Sequence, residues 1–413
     1  MVTQASASSS IIPLRVGRGS NAVYDVIVIG LGAAGAATLS ALAASGARVR
    51  GLDRFNSPHA LGSSHGQSRI TRQAIGEGSA YVPLAVRSQQ IWRELEAEGD
   101  EALFSQVGCL ILSDPEDRNE RPPGQAFIDR TLAAAREHGV AHELLDTDAI
   151  RGRYPQFVVR DEVAGYFEAS SGFLHVEACI RAQLGRAQRA GAEVSSLSRV
   201  ASVRQEADHV VTTLADGEKL LSQRAVVSAG AWTASLLGPP FDTLLSTTRQ
   251  VMHWFPTAAG AEVEGAWSRS PVFIWRHGSG RDDFFYGFPS LGGQVKVADE
   301  AYGPGVPADT VDRATPASDS RRMFDAHVRG RLQSILPEPA FAAACLYTVT
   351  PDSHFIIDRH PDHPRIEVVS ACSGHGFKHA AAIGEAVAEK LTHGASRIDL
   401  SFFALSRFAE SAP

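Results

Sequence analysis

The apolar residues of this chain run first in a strand rhythm and then in a helical one, and the change falls on a glycine. Residues 26–29 (VIVI) form an unbroken β-branched run, which predicts a buried strand. Gly30 breaks it, a small-residue helical stretch follows, and a second strand ends at Asp53. The pattern next predicts a helix across residues 82–99, a strand at 106–113 and a polar, Pro-containing loop at 114–124. Helices are expected near 127–138 and 176–190, and the alternating stretch 192–220 reads as hairpin strands. Residues 225–229 (AVVSA) repeat the strand-into-glycine pattern, ending at Gly230. Between 248 and 300 four strand-like runs, RQVMHWFP, PVFIWRHG, DFFYGFPS and QVKVADE, predict an antiparallel sheet. The chain then returns to strand (IEVVSA), glycine loop (CSGHGF) and helix (380–391).

The first of these units carries chemistry. Gly30, Gly32 and Gly35 occupy the three glycine positions of a dinucleotide-binding turn. The first permits the tight turn, the second lets backbone approach a pyrophosphate, and the third lets helix pack on strand. The helix N-terminus offers free N–H groups to phosphate, and Asp53 is placed to accept hydrogen bonds from a ribose. A glycine-rich turn with no ligand is the plainer alternative, but strand, turn, helix, strand and acid in register favour bound FAD or NAD. Residues 26–47 contain no charged side chain and are long enough to span a membrane. Their glycines, Ser and Thr make them poorly apolar, so a soluble chain is expected.

Composition narrows the class. With 413 residues two domains are expected, and 44% apolar with 21% charged residues is ordinary for a globular enzyme. A net charge of −7 argues against nucleic-acid or anionic-membrane partners. Residues 1–22, rich in Ser and Ala, read as a disordered tail. Cys109, Cys179, Cys345 and Cys372 show neither a C-x-x-C nor a metal-ligand spacing, so no metal is expected and a reducing cytoplasm suits them. Of 39 basic residues the only lysines are Lys219, Lys296, Lys378 and Lys390. Lys219 follows a turn and Lys390 sits on an amphipathic helix, so both read as surface; Lys296 and Lys378 do not.

Three further segments stand out: residues 63–72 (SSHGQSRITR), 286–296 (YGFPS through Lys296) and 345–378 (CLYT, PD, FIID, SGHGFK). With the glycine turn, and in this order, they make the chain from residue 24 onward resemble the monomeric sarcosine oxidase and N-methyltryptophan oxidase family. The resemblance implies a Rossmann-like FAD-binding domain, discontinuous in sequence, with an inserted mixed α+β substrate domain. The FAD-binding parts are placed at 23–105, 166–240 and 340–413, the substrate domain at 106–165 and 241–339. It also implies FAD held through an 8α-thioether to Cys345, with Ser63, Ser64, Gly230, Gly374, His375 and Gly376 among the cofactor contacts. Arg69 would lie against the flavin and Lys296 over it, where oxygen is reduced. His65 and His375 would flank the ring, although for each lone histidine a structural role competes. Arg72 and Lys378 would clamp a substrate carboxylate, Arg69 and Arg72 sharing one face if they lie on a helical turn. Tyr286 and Tyr347 would line the substrate cavity.

One departure matters. Where the sarcosine oxidases carry a histidine four residues past the lysine, this chain has Asp299-Glu300. A carboxylate there favours the ammonium form of an amine unless it points away or is protonated, which suggests a substrate other than sarcosine and makes Glu300 a substrate-binding candidate. The expectation is a monomeric, cytoplasmic, FAD-dependent oxidase of secondary amines, N-methyl or cyclic imino amino acids, that releases H2O2. A biosynthetic oxidase or desaturase of a tailored amino acid or alkaloid precursor is the alternative within the class. A non-catalytic FAD-binding module and an NAD dehydrogenase stand outside it.

Overall fold

The computed structural model describes residues 24–117, 126–280, 282–300 and 302–411; the expected tail at 1–22 lies outside them. The β-branched run forms the strand Tyr24–Ile29, buried at every position because both faces are covered. It pairs in parallel with Val49–Leu52 on one side and Lys219–Val227 on the other. Glu193–Ser195 and Ile366–Ser370 extend the parallel order outward, and antiparallel partners finish the sheet. Over it lies the helix Ala33–Ala44, packed between the helices Val176–Arg189 and Ala380–His393. Contact with the last is backbone-close: a Cβ on Gly384 would lie 2.6 Å from the Ala37 Cβ, so only glycine fits there.

A second sheet of eight strands runs Phe341–Val349, Ser246–Pro256, Gln294–Asp299, Phe284–Leu291, Val272–Arg276, Cys109–Ser113, Ala164–Glu168 and Glu143–Leu145. One face packs on a core of Phe157, Phe273, Trp275, Phe285, Val295 and Val297. The other face turns toward the first sheet. Ser68–Thr71 joins Gly172–His175 and Phe104–Ser105 in a small third sheet between them.

Three sequence expectations change here. Arg69 lies in a strand and Arg72 directly follows it, so the two do not share a helical face; pairing of Ser68–Thr71 with Gly172–His175 overrides the local reading. Residues 341–349, grouped by sequence with the nucleotide-binding part, hydrogen-bond along Ser246–Pro256 in the second sheet, which carries Cys345 with them. Lys390 is no free surface cation: it meets the buried carboxylate of Glu367 at 2.5 Å. Among the described residues no helix is long and apolar enough to cross a membrane.

Candidate active site

A cavity of about 1480 Å³ runs between the two large sheets. Its nucleotide end is built from the glycine turn. Gly30 has φ +89°, and a Cβ on Gly35 would overlap the Gly30 carbonyl, so the turn and the helix approach both demand glycine. Gly32, the helix N-cap, has only the Ser64 hydroxyl near its missing Cβ, and no acidic residue lies in the first turn. The Ala33 N–H donates to Ser64 Oγ at 3.3 Å. Asp53 is buried and accepts from the Leu31 and Phe55 N–H groups at 2.7 and 2.8 Å, which fixes its carboxylate at the cavity wall. Gly230, with φ +53°, faces the same space. This cradle fits a dinucleotide: positive helix end, open glycine, anchored acid.

Most of the expected site residues line this one cavity: Asp53, Ser63, Ser64, Arg69, Arg72, Gly230, Tyr286, Glu300, Tyr347, Gly374, His375, Gly376 and Lys378. His65, Lys296 and Cys345 stand behind that lining. His65 is buried, its Nε2 has no hydrogen-bond partner among the described residues, and burial followed by Arg69 and Lys296 pushes its pKa down to about 3. The ring is therefore neutral. Lys296 Nζ donates to the Gly66 and Ser68 carbonyls at 2.7 and 2.6 Å and to Ser68 Oγ at 3.1 Å, filling all three N–H positions of an ammonium. Phe288 and Trp254 present ring faces at 4.4 and 5.5 Å. Burial and then Arg69 hold Lys296 well below the ordinary lysine range. Cys345 is buried, and burial raises its thiol against the pull of Arg69. Cys372, which sequence reading left unassigned, does line the cavity.

The other end of the cavity is denser in charge. Arg72 is buried, donates to the Ala74 carbonyl and meets Glu77 at 2.5 Å; Lys378 lies 3.6 Å from the other Glu77 oxygen. Glu77 was not singled out from sequence, although it stands between two glycines five residues past Arg72. Burial alone would raise its carboxyl, but Arg72 and then Lys378 hold it well below the usual range. Lys378 falls to about 8, through burial first, with Arg72 opposing the support of Glu77. The chain therefore brings the two expected clamp cations together around its own carboxylate.

The Asp299-Glu300 question is answered by strand alternation. Val295 and Val297 point into the aromatic core while Lys296 and Ala298 face the cavity side, so Asp299 turns away and lies 3.8 Å from His327 Nε2. Glu300 turns inward, where burial and Glu77 raise its carboxyl to about 7. The glycine loop presses on it: a Cβ on Gly374 would lie 3.1 Å from the Tyr347 ring and 3.3 Å from Glu300 Oε1. Tyr286 and Tyr347 meet hydroxyl to hydroxyl at 3.4 Å. His375 donates Nε2–H to the Ser353 carbonyl at 3.3 Å, leaving a buried Nδ1 with no partner among the described residues. With its pKa near 3, from burial and Lys378, the ring is neutral and that nitrogen can accept a hydrogen bond.

Residues 25–390 match the family model of FAD dependent oxidoreductases. The chain is 36% identical over 397 residues to the monomeric sarcosine oxidase of Bacillus sp. (strain B-0618), covering 93% of this chain and 96% of that protein. It is 33% identical over 395 residues to the N-methyl-L-tryptophan oxidase of Salmonella dublin, covering 94% and 100%. Among solved structures, the open form of NikD, an unusual amino acid oxidase essential for nikkomycin biosynthesis, superposes with a TM-score of 0.79 at 22% identity, covering 93% and 98%.

Proposed function

The chain belongs to the FAD dependent oxidoreductase family, and on that premise we propose that it is an oxidase of secondary amines, N-methyl or cyclic imino amino acids, producing H2O2. It would act as a cytoplasmic monomer on a small amine and O2. When bound, FAD supplies a two-electron acceptor for the hydride from the carbon beside nitrogen and returns the electrons to O2. The Gly30–Gly35 turn, Asp53, Ser63, Ser64, Gly230 and the 374–376 loop would hold the cofactor, and Arg69 would supply a fixed positive charge beside it. Arg72 and Lys378 hold the substrate carboxylate as fork and point charge once Glu77 gives way. Tyr286 and Tyr347 wall the amine site, and Glu300 faces the amine. The amine must lose its proton before hydride can leave, and the ionised form of Glu300 can accept it.

The observation that carries the oxidase reading is Lys296, a buried lysine bound only to neutral oxygens and forming no ion pair among the described residues. A cation held this way stabilises the anion formed as O2 takes an electron. A panel of N-methyl and cyclic amino acids, read by peroxide release, tests it. Flavin reduction by such amines with no peroxide formed in air would make the protein a dehydrogenase instead.

We assign the flavin thioether to Cys345. Acid-precipitated holoenzyme should stay yellow and the intact mass should exceed the chain by one FAD; Cys345→Ala should lose the colour and Cys372→Ser keep it. Colourless pellets from freshly loaded enzyme leave FAD non-covalent.

A further inference from the structure

Three neighbouring strands set a row of side chains across the substrate half of the cavity. Arg276 pairs with Phe284, and Phe285 pairs with Asp299, so the row reads Glu300, Phe284, Arg276. All three line the cavity. Adjacent strands lie about 4.8 Å apart, which separates Glu300 from Arg276 by about 10 Å along the row. The next row is Ala298, Tyr286, Ile274, a largely apolar floor.

Arg276 is held for contact with the cavity. Its Nε donates to Asp117 Oδ1 at 3.3 Å, its guanidinium lies 5.4 Å from the Phe284 ring, and its side chain is 12% exposed. Its terminal nitrogens form no hydrogen bond among the described residues, and the side chain lines the cavity. The Asp117 carboxylate is also taken by Ser113 Oγ at 2.9 Å and the Phe127 N–H at 3.3 Å. Arg130 adds a second guanidinium to the same wall, 5.6 Å from the Phe127 ring. Around the cavity the charged groups thus run from Arg72 and Lys378, which share the exchangeable Glu77, to Glu300 and then to Arg276 and Arg130.

We propose that Arg276 heads a side-chain subsite for a second carboxylate, so that the substrate is a secondary-amine dicarboxylate. One carboxylate lies at Arg72 and Lys378, the amine faces Glu300, the intervening carbons cross Phe284, and the distal carboxylate reaches the Arg276 fork. The ligand pattern of minus, plus, minus complements the wall, and Glu300 repels a distal acid from every position short of Arg276. This rests on the amine-oxidase reading above.

The test uses holoenzyme. Anaerobic flavin reduction is measured with N-methylglutamate and N-methyl-2-aminoadipate against N-methylglutamine and N-methylalanine. The better diacid should exceed the amide at least tenfold in reduction rate over dissociation constant. Arg276→Met should abolish that preference with N-methylalanine unchanged, and Arg276→Lys should keep part of it. Equal rates for acid and amide, or an equal loss for all substrates in Arg276→Met, overturns the subsite while leaving the oxidase reading in place. The oxidase reading fails separately: no N-methyl amino acid reduces the flavin, yet adipate perturbs its absorbance at least tenfold more tightly than hexanoate, through Arg276. If adipate shows no advantage either, the subsite falls with it.

Discussion

Two buried lysines of this chain live in opposite electrostatic settings. Lys296 is met by two carbonyls, a hydroxyl and two ring faces and, among the described residues, by no carboxylate at ion-pair distance. Lys378 shares Glu77 with Arg72. A charge balanced only by fixed dipoles has nothing to exchange, so it suits an anion that forms in place and leaves again. A cation–anion–cation triad has an exchangeable member, and a ligand carboxylate that displaces Glu77 inherits both partners. On the proposed function, the same residue type would serve an electron-transfer partner in one region and recognition in the other.

The largest effect that would separate the two regions is on oxygen. Lys296→Met should leave anaerobic flavin reduction nearly unchanged and slow reoxidation about 10²–10³-fold, a loss of roughly 3–4 kcal/mol. Because burial lowers the Lys296 pKa, wild-type reoxidation should also slow as pH rises through that value, since the cation is the low-pH form. Equal damage to both half-reactions would make Lys296 structural.

Next in size is acid binding at the triad. Lys378→Met should weaken carboxylate ligands about 10–100-fold, one charge-assisted bond of roughly 1.5–3 kcal/mol, with FAD still attached. Glu77→Gln should act in the opposite sense and tighten the same acids, because the internal competitor is gone. Flavin absorbance titrations measure both, and a Glu77→Gln enzyme that binds acids less well would refute the exchange.

The smallest effect concerns stability. Glu300 has a folded pKa of about 7, raised by burial and Glu77 against Lys378 and Arg276. Its ionisation therefore opposes folding, by nothing below about pH 4.5 and fully above pH 7, where the difference amounts to roughly 3 kcal/mol. Glu300→Gln should raise the melting temperature of holoenzyme at pH 8.5 and leave it nearly unchanged at pH 4.5. A shift of equal size at both would assign the effect to packing.

Much of this site was legible locally. The glycine turn, Asp53 and the strand runs between 248 and 300 obey short-range rules of backbone freedom and alternation. Even the inward turn of Glu300 was available, since alternation from Lys296 puts Ala298 and Glu300 on one face and Asp299 on the other. What sequence could not supply were partners brought from afar. Glu77 matters only because Lys378 arrives beside it, Lys390 only because Glu367 lies buried below it, and Arg69 reads as strand only once Leu174 pairs with it. Arg276, not singled out from sequence, stands out only once Phe284 and Glu300 line up beside it.

The backbone-close seat of Gly384 on Ala37 sets an order of events. The cofactor turn is made long before the helix Ala380–His393, and the helix that begins in it keeps one flank uncovered until that later helix has been synthesised. Contacts of such long sequence separation form late, after the intervening chain has collapsed. Tight FAD capture is therefore an act of the finished chain, and a nascent chain stopped before residue 380 should carry an intact glycine turn that cannot retain flavin.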